Sequence, residues 1–112
     1  MNVVMNLSEK YFELLNYELK DIEVRLLDEK RAKLKVGDTI TFQNSKDIIN
    51  TKILNLMVYK SFEELIDSVP TKRIGLSSTN ADALKELYSI YPKDKLEGYK
   101  ILAIEIKKIN TP

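Results

Sequence analysis

The chain has 112 residues, 44 % of them hydrophobic and 31 % charged, and its 18 basic and 17 acidic side chains leave a formal charge of +1. That length sustains one core and a single domain, residues 1–112, and the composition is that of an ordinary globular protein rather than a disordered or fibrous one. With no Cys and no His, thiol nucleophiles, thiolate or imidazole zinc sites, His-based triads and disulfides are excluded, so any catalysis must use Lys, carboxylates, Tyr or hydroxyls.

Val3, Val4 and Met5 form a short apolar run compatible with a buried strand over 2–6. The same N-terminal stretch has neither a basic leader nor a long apolar segment, and no run approaches the roughly 20 residues of a membrane span. No membrane partner is therefore expected, and cytoplasm is the expected location. Ser8 reads as an N-cap, because its hydroxyl can accept from an unpaired first-turn amide. Tyr11, Phe12, Leu14 and Leu15 follow at helical spacing, with core packing the expectation for the aromatics. After the connector Asn16–Leu19, polar and apolar residues alternate from Asp21 to Leu26. In a strand this puts Ile22, Val24 and Leu26 on a core face and Glu23 and Arg25 on the other. Their alpha carbons then lie about 7 Å apart, so the two side chains either share a pocket or form an exposed ion pair of little consequence.

Asp28–Lys35 is a charged connector, either a phosphate-contacting segment or a solvated turn. Gly37-Asp38 is a turn signal before a strand at Thr39–Phe42, with Ile40 and Phe42 on one face. Gln43–Asn50 is polar and reads as a hairpin loop. Thr51–Lys60 is apolar on alternate and intervening positions alike, which predicts a strand covered on both faces. Ser61-Phe62-Glu63-Glu64 has the form of a capping box and opens a helix with Phe62, Leu65 and Ile66 inward, stopped by Pro70. Thr71–Leu76, with Lys72, Arg73 and Gly75, reads as a linker or a short turn. Thr79 caps a third helix whose Ala81, Leu84, Leu87, Tyr88 and Tyr91 share a face until Pro92, where Tyr91 either packs or faces a cleft. Lys93–Glu97 is a polar connector, and Gly98 opens a last strand over Tyr99–Ile109 with Leu102, Ile104 and Ile106 in the core.

No phosphate-binding loop, dinucleotide fingerprint, nucleophile elbow, calcium loop or internal repeat is present. Five or six strands with about three short helices, and few helical crossovers, predict an α+β fold: a small, partly closed mixed barrel with helices flanking a cleft.

Several separated motifs then resemble one family. Lys20, Glu23-Val24-Arg25-Leu26, Asp28-Glu29-Lys30-Arg31 and Gly37-Asp38-Thr39-Ile40-Thr41-Phe42 look like the signature of the ASCH domain, a small PUA-like β-barrel. Tyr11-Phe12, Tyr59-Lys60-Ser61-Phe62, Tyr91-Pro92 and Gly98 before Leu102-Ala103-Ile104 agree with it, so the resemblance spans essentially the whole chain. Two departures stand beside the retained Lys20: Glu18 occupies the usual Gly position and Asp21 the usual Thr position. The turn must form without glycine's freedom, and Asp21 either weakens a phosphate contact by Lys20 or pairs with it.

The resemblance implies a PUA-like barrel that binds RNA or a nucleotide between barrel and helices. Lys20, Arg25, Lys30 and Arg31 would contact phosphates or a base edge, Glu23 would accept from a base amino group, and Tyr91 or Tyr99 would stack. Near-zero net charge favours one nucleotide or a short single strand over a long duplex. The alternative is a small hydrolase. A branch similar to this family removes the acyl group of N(4)-acetylcytidine with a Lys, a Thr and a Glu, and Lys20 matches the lysine. The Thr position holds Glu23, however, and the acid's position falls near Leu76, so that activity does not carry over. Lys20 and Glu23 as a base pair for other chemistry, such as RNA cleavage, and a regulatory cleft for a small molecule complete the alternatives. No metal or cofactor is expected, and the protein is assumed to be a monomer.

Overall fold

In the computed structural model, which describes residues 1–110, the alternating stretches become five strands: β1 (Asn2–Asn6), β2 (Ile22–Leu27), β3 (Thr39–Gln43), β4 (Ile48–Tyr59) and β5 (Lys100–Lys108). They form one sheet in the order β1-β3-β4-β5-β2, with β1 parallel to β3 and the other pairs antiparallel. The sheet curls into a half-barrel, as expected for the α+β class. Five helices accompany it: α1 (Glu9–Asn16), α2 (Phe62–Ser68), α3 (Thr71–Ile74), α4 (Asn80–Ile90) and α5 (Lys93–Leu96), three of them of seven residues or more. Among the described residues, no helix is long and apolar enough to cross a membrane.

The core is divided by the sheet. Met5, Ile40, Phe42, Ile49, Ile53, Leu102, Ile104 and Ile106 pack on the side enclosed by the curl, together with Phe12 and Leu15 of α1. On the opposite side, Ile22, Val24, Ile101 and Ala103 meet Phe62, Leu65, Ile74 and Leu87 of the other helices. β5 therefore buries both faces, where the sequence suggested one. In β2 the face of Glu23 and Arg25 lies beside Leu102 and Ile104 of β5, toward the inside of the curl, because antiparallel partners share a face.

Three connectors are more regular than their sequences suggest. Gln43–Asn50 is a hairpin, as expected, but its loop is shorter than the polar stretch. Gln43, Phe42 and Thr41 already pair with Ile48, Ile49 and Asn50, and a tight turn remains in which the Asn44 side-chain oxygen accepts from the Lys46 and Asp47 amides. Burial of Ile49 overrides the local polarity. Of the two readings open for Thr71–Leu76 the structure has the short turn, a helical one over Thr71–Ile74 closed by Gly75 at φ 87°, and the connector Lys93–Leu96 is a second helical turn. β4, expected to be covered on both faces, leaves Leu54 and Val58 about half exposed. A register shift between Ile53 and Asn55 changes which residues point inward, and the outer helices reach only Met57 and Tyr59.

The caps divide similarly. Ser61 and Thr79 accept from the amides of Glu64 and Asp82, whereas Ser8 at the start of α1 makes no side-chain cap bond. Among the described residues, Glu64 does not return the bond to Ser61, so that capping box is half made.

Candidate functional site

The site begins at the end of α1. The Leu19 amide donates to Leu14 O at 2.8 Å and the Glu18 amide to Leu15 O at 3.0 Å, the paired bonds of a Schellman cap. That cap needs a left-handed residue, and Glu18 supplies it at φ 58° in the position where glycine costs least. The reversal turns Lys20 inward.

Lys20 is 2 % exposed. Its ammonium donates to Ile22 O at 2.6 Å and Ile74 O at 2.7 Å and lies 3.0 Å from Glu23 Oε1. An ammonium has three hydrogens, and these three acceptors use them all. The amine also stands 5.7 Å from the centre of the Tyr11 ring. Gly75 makes room for this packing: a Cβ there would sit 3.2 Å from both Leu14 Cδ1 and Lys20 Cδ. Asp21 takes no part. It receives Arg73 Nε and Nη2, each at 2.9 Å, and so fastens α3 to β2 instead of pairing with Lys20.

Glu23 is the centre of a charged triad. Its Oε2 receives Arg25 Nε at 2.7 Å while Oε1 faces Lys20. Burial pushes the Glu23 carboxyl up, but the charges and hydrogen bonds of Lys20 and Arg25 outweigh that and hold it below its ordinary value. The carboxylate is thus ionised at neutral pH. Arg25 also donates through Nη2 to Asn6 O at 2.7 Å, which ties β2 to the end of β1 across the open seam between the two edge strands. Its Nη1 makes no hydrogen bond among the described residues and is the donor left for a ligand.

A cavity of about 310 Å³ opens over this triad. Tyr11 and Tyr91 stand in its wall with Ile74, Leu76, Leu87 and Ile90, and the residues Asn6–Ser8 form its rim. Volume and apolar lining with a few polar groups are those of a small-ligand site. Burial, reinforced by the Glu86 and Glu23 carboxylates, raises the Tyr11 phenol, and burial chiefly raises that of Tyr91. Both remain neutral donors at physiological pH. Lys20, Glu23, Arg25 and Tyr91, singled out from the sequence, therefore converge.

Other candidates lie elsewhere. Lys30 and Arg31 line a narrow groove against Val3–Met5, and Arg31 is committed to Asp28, with Nη1 to Oδ2 at 2.7 Å and its amide to Oδ1 at 2.9 Å. Tyr99 lies in a separate groove with Lys60 and Lys93. Sequence reasoning missed Tyr11 as a wall residue; the signal available was an aromatic with a polar tip on the α1 stripe. It also missed Glu86, which accepts from Ser77 Oγ at 2.5 Å next to Leu76 and acts on Tyr11 from behind the wall. Among the described residues, no three acidic side chains gather as a metal site.

Comparison with known proteins gives one consistent picture. The family model described as ASCH domain matches residues 5–110. The crystal structure of hypothetical protein PH0355 superposes with a TM-score of 0.87 at 33 % identity, over 97 % of this chain and 100 % of that one. The solution structure of protein PF0455 from Pyrococcus furiosus does so at 0.77 and 30 % identity, over 99 % and 100 %. No curated protein matches.

Proposed function

We propose that this chain, which belongs to the ASCH domain family, binds one base of a nucleotide or of a short single-stranded RNA in the cavity over Lys20, Glu23 and Arg25. The observation that carries this reading is the preformed triad beneath a cavity of about 310 Å³ with two tyrosines in its wall. A splayed base needs an aromatic face and polar groups that meet its edge, and these elements offer both. Tyr91 and Tyr11 supply the faces. Each Glu23 oxygen retains a lone pair that can accept from a base amino group, and Arg25 Nη1 donates to a carbonyl, a ring nitrogen or a phosphate.

Lys20 acts here as a positioning residue. Its three donors are spent on the protein, so it fixes Glu23 rather than touching a phosphate. The hydrolytic alternative draws no support from this arrangement, because all three hydrogens of the Lys20 ammonium are donated to protein acceptors and none of its valences is turned toward a substrate as a base.

Titration of labelled mononucleotides and short RNAs by fluorescence anisotropy tests the reading. Binding should weaken on raising salt with a slope of about −0.7 per phosphate neutralised. Tyr91→Ala should cost about 1–3 kcal/mol, the range for one stacked base, and Arg25→Ala should weaken binding in parallel. Wild-type protein that binds neither ligand, or binding indifferent to both substitutions, refutes it.

A further inference from the structure

We infer that the groove holding Tyr99, on the other side of the end of α4, takes a further nucleotide of the same strand; this rests on the reading of the first cavity. The groove has a volume of about 350 Å³, and Lys60, Phe62, Tyr88, Lys93 and Tyr99 are among the residues lining it. Tyr99 is 46 % exposed, the character of a stacking platform rather than of a core residue.

The groove is braced for the purpose. Tyr88 is fixed by its hydroxyl, which lies 2.9 and 2.8 Å from the two Glu63 carboxylate oxygens, and by Phe62, whose ring meets it edge-on at 5.2 Å. Lys93 stands 5.3 Å from the Tyr88 ring centre, and Lys60 makes no ion pair or hydrogen bond among the described residues. Lys60 and Lys93 line the groove with Glu97, while the Glu63 carboxylate is taken up by the Tyr88 hydroxyl, and the two ammonium groups suit a backbone phosphate. An aromatic face next to unpaired cations is how sequence-tolerant single-strand sites are built, whereas a protein-docking patch would be contiguous and apolar.

The two sites share a wall. Phe62 lies 6.2 Å from Tyr91, which faces the first cavity, and 5.2 Å from Tyr88, which faces the second. The outer rings are thus no farther apart than the sum of those distances.

Affinities of a mononucleotide and of tri- and hexanucleotides, measured for wild type, Tyr99→Ala, Tyr99→Phe and Tyr91→Ala, decide the matter. Wild type should gain tenfold or more from mononucleotide to oligonucleotide. Tyr99→Ala should leave the mononucleotide unchanged and weaken the oligonucleotides by about 5- to 150-fold, the equivalent of one stacked base, and Tyr99→Phe should behave as wild type. If the mononucleotide binds through Tyr91 but added length gains nothing, or Tyr99→Ala is silent, the second subsite is overturned and the first stands. A mononucleotide that does not bind overturns both.

Discussion

Replacing Lys20 by Met tests whether the buried lysine is a strut or an idle chemical group. The substitution keeps the aliphatic stem, removes the charge, leaves Glu23 with Arg25 alone, and takes the ammonium donor away from Ile22 O and Ile74 O. Breaking a buried ion pair by removing one partner costs about 3–5 kcal/mol, most of it the stranded charge. The Arg25 contact at 2.7 Å survives and compensates part of that charge, so the lower end, about 3 kcal/mol, is expected. With a urea m-value of about 1.5 kcal/mol/M, the midpoint should fall by about 2 M. Far-UV circular dichroism during urea unfolding measures it. Adding Glu23→Gln to the same protein removes the stranded carboxylate and should recover at least half of the loss. A Lys20→Met midpoint equal to or above wild type would refute this reasoning, since that is how a residue kept for chemistry at the expense of stability behaves.

Two further outcomes follow from the same region. Glu18→Gly should stabilise the fold by about 1 kcal/mol, because glycine adopts the left-handed conformation at φ 58° without the steric cost. The melting temperature should rise by about 4 °C, and a fall would show that the Glu18 side chain contributes more than its backbone costs. The second concerns acid. Glu23 titrates below its ordinary value in the fold, so the unfolded chain takes up its proton first. Its stabilising contribution is complete above the unfolded value of about 4.3 and is lost as pH falls through the depressed folded value. Acid unfolding of Glu23→Gln should therefore be less steep below pH ~4 than that of wild type, and identical slopes would contradict the assignment.

Much of the sheet was legible because alternation is a local property. Ile22, Val24 and Ile40 needed only their neighbours in sequence to be placed. Lys20 was not legible. The sequence put it at a cleft edge, exposed to phosphate, whereas its burial depends on the Ile74 carbonyl 54 residues away and on the space beside Gly75. The same remoteness hid the roles of Asp21, whose partner is Arg73, and of Glu86, which arrives from α4. β4 was misjudged where a single register shift reorients the strand, a change that no alternation pattern predicts. Glu18 was legible in part: the family resemblance marked a turn formed without glycine at the usual glycine position, and the structure shows the glutamate itself taking the left-handed conformation there, at φ 58°.

The central claim is that the cavity over the Lys20–Glu23–Arg25 triad is where a base binds, and amide chemical-shift mapping during titration with a nucleoside monophosphate tests it most directly. The account predicts saturable shifts at Leu7, Ser8, Val24, Arg25, Leu76 and Tyr91, the lining of one cavity drawn from four separate stretches of chain. Shifts confined to Lys30 and Arg31, or to the exposed lysines without saturation, would contradict it.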